Sequence, residues 1–163
     1  MPQFTRHAWV ANEEIDADLL NQPGRLLYYN QLTADHPFTP TNADSAVFST
    51  TLAIAGPRFI LMGCSGPLDI NDPAAHLSIS FAVGAPTDVG TGNIGPAFTA
   101  LGYRDAADNA RTAENRSAWI HYITTVPGNY TFQLHGEDTG SGNHGPQLSN
   151  GFRFYILDVG AGV

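Results

Sequence analysis

From Ser45 onward apolar side chains tend to recur at every second position, whereas before it they do not. Ala46, Phe48, Thr50, Leu52 and Ile54 share one face of an extended segment that Gly56-Pro57 closes. Phe59 to Cys64 is apolar almost throughout, the pattern of a strand covered on both faces. Leu77, Ile79, Phe81 and Val83 alternate with His76, Ser78, Ser80 and Ala82, as a half-buried strand does. Residues 84–96 read as a Gly- and Pro-bearing loop, 97–103 as a weaker strand and 104–116 as a polar excursion. Ser117 to Thr125 and Asn129 to His135 read as a hairpin turning across Val126-Pro127-Gly128-Asn129, with Tyr130, Phe132 and Leu134 facing inward. After the polar loop GEDTGSGNHGPQLSNG comes a last strand, Phe152 to Val159, where Phe152, Phe154 and Ile156 oppose Arg153, Tyr155 and Leu157. Apolar residues on both of its faces predict a central position. Strands at this spacing, with no helices between them, predict an all-β antiparallel sandwich or barrel.

The front of the chain follows another period. In WVANEEIDADLLNQPG, Asn12 is a suitable N-cap and Glu13 and Glu14 suit the first turn of a helix, where its dipole favours anions. Ile15, Leu19 and Leu20 form one apolar stripe, and Pro23-Gly24 ends it. A helix this short does not persist alone, so its stripe must pack on something. Arg25 to Leu32 (RLLYYNQL) fits strand or helix, and His36 to Asp44 is a Pro-rich connector. The expected division is therefore residues 1–44 as arm, short helix and connector, and residues 45–163 as the β domain.

Composition narrows the function. Charged residues make up 13% of the 163, against ~25% in ordinary soluble domains. Low charge suits surfaces that dock on other subunits. The net charge of −8 and the scatter of single arginines argue against nucleic acid. No lysine is present, which excludes Schiff-base and P-loop chemistry. Cys64, inside an apolar run, reads as a buried hydrophobe rather than a reactive thiol. No stretch approaches membrane-spanning length and no signal peptide is evident, so a soluble protein made in the cytoplasm is expected.

Candidate chemistry is sparse. Asp138-Thr139-Gly140-Ser141 spells the aspartic-protease signature, but it reads as part of a solvated loop, not the end of an apolar strand. None of the six histidines has zinc-site spacing; His121 and His135 are the one pair that a hairpin would bring face to face. Asp69-Ile70-Asn71-Asp72 lacks the spacing of a calcium loop, and Asp105, Asp108 and Glu114 show no better pattern. Ser65 sits in no nucleophile elbow. The expectation is no catalytic residue, no cofactor and no metal.

Two segments carry a resemblance. Trp9, Val10, Glu14, Ile15, Ala17, Leu20 and Asn21 match the leader of small tailed-phage virion proteins, with Glu13-Glu14 standing where that group often has Gly-Glu. SAWIHYITTVPGNYTFQLHG and FRFYILDVG resemble the last strands of jelly-roll heads in phage decoration proteins and fibre tips, which are similar to tumour-necrosis-factor-like trimers. The resemblance implies a jelly-roll-like sandwich on an N-terminal arm, and a non-enzymatic virion structural protein. A capsid decoration (cement) subunit is expected first, because no shaft-like repeat precedes the head. A tail-tip or fibre head contacting the host, or a carbohydrate-binding jelly-roll module, are the alternatives.

The expected partners are further copies of the chain, as a homotrimer, and the major capsid protein or another virion protein, with a host surface glycan open. Nucleic acid and membrane are not expected. Phe4, Trp9, Ile15, Leu19 and Leu20 are the expected docking residues of the leader, and Tyr155, Leu157 and Val159 those of the last strand.

Overall fold

The computed structural model describes residues 24–38, 45–70, 76–86, 92–101, 112–139 and 145–161. The strands in chain order are β1 (Arg25–Gln31), β2 (His36–Pro37), β3 (Ser45–Ile54), β4 (Arg58–Ile70) and β5 (His76–Gly84). They continue as β6 (Gly92–Leu101), β7 (Thr112–Ile123), β8 (Gly128–Asp138), β9 (Gln147–Leu148) and β10 (Arg153–Ala161). One sheet runs β1-β10-β4-β7, extended by the short β9 and β2 where β4 outruns β10. The other runs β3-β8-β5-β6. All pairings are antiparallel and successive long strands repeatedly cross between sheets, which is the winding of a jelly roll.

The core lies between the two sheets. Ile60, Met62 and Cys64 of β4 and Phe154 and Ile156 of β10 meet Phe48 of β3, Leu77, Ile79 and Phe81 of β5, and Phe132 and Leu134 of β8. Phe154 joins the layers directly: its ring stacks on Phe48 at 5.8 Å and lies 6.5 Å from Phe81. Cys64 is fully buried, and desolvation pushes its thiol up to about 12, so it is an inert packing residue.

Several expectations change. Residues 25–38 belong to the head rather than to an arm: β1 pairs with β10, β2 with β9, and Phe38 is fully buried. Pairing with the apolar strand β10 settles the ambiguous RLLYYNQL as strand. In β3 a bulge between Ala46 and Phe48 turns Val47, not Ala46, toward the core. β4 is covered on one face only, with Phe59 and Leu61 half-buried on the other. Strands β6 and β7 begin earlier than their apolar pattern suggested, at Gly92 and Thr112.

β7 and β8 are not a hairpin. β7 pairs with β4 and β8 with β3 and β5, so Val126-Pro127-Gly128 arches from one sheet to the other. The Tyr130 hydroxyl donates to the Val126 carbonyl at 2.8 Å and ties this arch to the core. The arch also separates His121 from His135, which lie on different sheets. Asp138 closes β8 in a buried position rather than sitting in a solvated loop.

Candidate docking face

The outer side of β1-β10-β4-β7 is an ordered grid, because register partners point the same way. Four rows can be read across it. Gln31, Arg153, Ser65 and Ser117 form a polar row; Tyr29, Tyr155, Gly63 and Trp119 form the next. Leu26, Leu157, Leu61 and His121 follow, and then Phe59 and Ile123. One end of the face is thus polar and the rest aromatic and aliphatic.

The aromatic side chains are held rather than loose. Tyr155 lies across Gly63, and a Cβ added there would collide with the ring, so the glycine makes the seat that the tyrosine fills. Burial pushes the Tyr155 hydroxyl upward from its ordinary pKa. The His121 ring contacts Phe59 at 4.8 Å and Trp119 at 5.1 Å, continuing a ring ladder along the edge strand β7. Tyr29 donates to Gln31 Oε1 at 3.1 Å. Despite this order the face is open to solvent: Trp119 is 65% exposed, Tyr29 50% and Ile123 47%. Large apolar side chains exposed in one continuous patch mark an interaction surface.

An ion pair anchors the far end of the same sheet. Arg58 Nε donates to both carboxylate oxygens of Asp158, at 2.8 and 3.0 Å, and Thr124 bonds the Arg58 backbone. Arg25 is buried beside Asp158; desolvation lowers its pKa, and the Asp158 charge works against that shift. Among the described residues, no group of three His, Cys, Asp or Glu side chains is arranged to hold a metal ion.

The structure places the three expected last-strand residues on this face or its margin: Tyr155 and Leu157 inside the grid, Val159 exposed beside the β10 bulge. Phe4, Trp9, Ile15, Leu19 and Leu20 lie outside the described residues. Phe59, Trp119, His121 and Ile123 of the same face are not among the residues expected from sequence. Their signal was present: Trp119, His121 and Ile123 alternate with Ala118, Ile120 and Tyr122, giving β7 two largely apolar or aromatic faces, as in the last strand.

No family model and no curated protein matches the chain. Among solved structures, it is similar to a chain of infectious bursal disease virus, Gx strain, at 11% identity and a TM-score of 0.52, over 86% of this chain and 33% of that one. It is also similar to Eiger TNF from S. frugiperda, at 8% identity and a TM-score of 0.43, over 86% of this chain and 91% of that one. The chain thus spans about a third of the viral chain's length, and what the two share is the architecture of the fold.

Proposed function

We propose that this chain is a non-enzymatic structural protein of a virus particle, a decoration subunit of a tailed-phage capsid. It associates with itself through the aromatic and aliphatic rows on the outer face of β1-β10-β4-β7, leaving the polar row free, as a homotrimer, and grips the shell with its leader. One observation carries the reading: a jelly roll leaves a held, continuous aromatic surface open on one sheet. Covering a surface of that kind removes apolar area from water and so favours association. The likeness of fold to a chain of a virus and the low charge of the whole sequence support the class.

Phe4, Trp9, Ile15, Leu19 and Leu20 are the proposed shell-binding side chains. Deleting residues 1–23 tests the assignment, with thermal melting read beside binding to undecorated particles. Unchanged melting with lost binding supports it. A collapsed melting temperature makes the leader part of the head, and intact binding removes its attachment role. Electron microscopy of native particles separates head from tail, since a tail-tip location contradicts decoration.

A further inference from the structure

The polar end of the same outer face holds a groove of about 310 Å³. It opens where β4 changes neighbour, pairing with β10 as far as Ser65 and with β9 from Leu68. Gly66 allows the change: its φ is +147°, and a Cβ there would press on the Phe152 backbone. Gly66, Pro67 and Gly151 line the groove with backbone and one flat proline ring. Ser65 of β4 and Ser117 and Asn115 of β7 add hydroxyls and an amide. Arg153 of β10 shares the outward row of Ser65 and Ser117, and Arg116 of β7 borders the groove from the other side of β4. Arg116 shares an exposed ion pair with Glu114 at 3.0 Å, and Arg153 makes no ion pair among the described residues. In a chain of net charge −8 the groove is locally cationic.

We propose that this groove binds a carboxylate-bearing monosaccharide unit, with a hexuronic acid as the simplest example. The Arg153 guanidinium takes the carboxylate, the arrangement that a planar Arg fork favours. Ser65, Ser117 and Asn115 take ring hydroxyls, and the Pro67 ring receives the apolar face of the sugar. A bare anion leaves the Pro67 ring uncovered, and a neutral sugar leaves the Arg153 guanidinium without a carboxylate. The groove lies beside the aromatic rows, not among them, so it stands independently of the docking assignment.

The test is an amide-shift NMR titration of the full chain with glucuronate, glucose and inorganic phosphate. Glucuronate is expected to bind with a Kd on the order of 1 mM, shifting Ser65, Ser117 and Arg153, with glucose and phosphate about tenfold weaker or more. Arg153→Gln and Ser117→Ala should each weaken glucuronate by roughly fivefold, with melting and self-association unchanged. Three results overturn the proposal: phosphate binding as tightly as glucuronate, which leaves only an unselective anion site; Arg153→Gln binding glucuronate normally; or no shift up to about 20 mM. None of these bears on the aromatic face, whose failure would show instead as a monomer.

Discussion

The two sheets share one core and present opposite outer faces. On β1-β10-β4-β7, beyond the polar row at one end, the outward positions include Tyr29, Tyr155, Trp119, Leu157, Leu61, His121, Phe59 and Ile123. On β3-β8-β5 they are Ser49, Thr51, Thr131, Gln133, His135, Ser78 and Ser80. The second face satisfies itself: Thr51 and Thr131 hydroxyls bond at 2.9 Å, and Gln133 donates to Ser49 at 3.1 Å and meets His135 at 3.0 Å. Such cross-strand polar pairs hold neighbouring strands while keeping the surface wet. The first face has few polar partners and ends in open rings. The same strand geometry thus presents a self-satisfied polar exterior on one side and exposed aromatic side chains on the other.

The first way to break this comparison is to remove what both faces share. Phe154→Ala takes out the ring that touches Phe48 and Phe81 across the sandwich. A loss of about 3–5 kcal/mol is expected in denaturant unfolding, with both faces lost in one transition. Two separate transitions would mean that the sheets are independent, and the comparison would collapse.

Alkaline pH probes the core beneath the aromatic face. The Cys64 thiol titrates near 9.0 when exposed and is pushed up to about 12 when folded. The folded state holds a proton that the unfolded chain has released. Stability is thus complete below pH 9 and falls by about 1.4 kcal/mol per pH unit as pH rises toward 12. Cys64→Ala should flatten that slope in a pH series of unfolding curves, and an unchanged slope would assign it elsewhere, to Tyr155 first.

A smaller effect separates the faces themselves. Gly63→Val evicts the Tyr155 ring from its seat, at about 1–3 kcal/mol of stability and with weakened self-association. Ser80→Val, at a half-buried outward position of β5, should cost less and leave association intact. Equal loss from both substitutions would erase the distinction. Thr131→Ala is the smallest test: its hydroxyl partner Thr51 is exposed and can turn to water, so stability should change by less than about 0.5 kcal/mol.

Much of this fold was legible because burial on one sheet face writes a period of two into sequence. Leu77, Ile79, Phe81 and Val83 are buried as the alternation requires, and the last strand is central, between β1 and β4. The pairing of β7 was not legible. Val126-Pro127-Gly128 signals a change of direction, yet the same residues serve a tight hairpin and an arch between sheets. Only the long-range choice of partner, β4 for β7 and β3 with β5 for β8, decides between them. The strand at Arg25–Gln31 was hidden for a related reason: a bulge between Leu26 and Tyr28 breaks its alternation. Of the docking face, Tyr155 and Leu157 were found from an apolar pattern on both sides of β10. Trp119 was not, because its strand was read against the wrong partner. The groove was invisible in sequence, since Ser65, Ser117 and Arg153 meet only through register.

If another copy of the chain covers the aromatic face, the oligomeric state must depend on Trp119. Sedimentation velocity on the intact protein at micromolar concentration, beside Trp119→Asp, tests it most directly. Trp119 is largely exposed in the single chain, so the variant should still melt cooperatively with native circular dichroism, its melting temperature lowered only by the lost association. The natural sequence should sediment as a trimer and the variant as a monomer, with association weakened by about 2 kcal/mol or more. A natural sequence that sediments as a monomer, or a variant that remains a trimer, would contradict it.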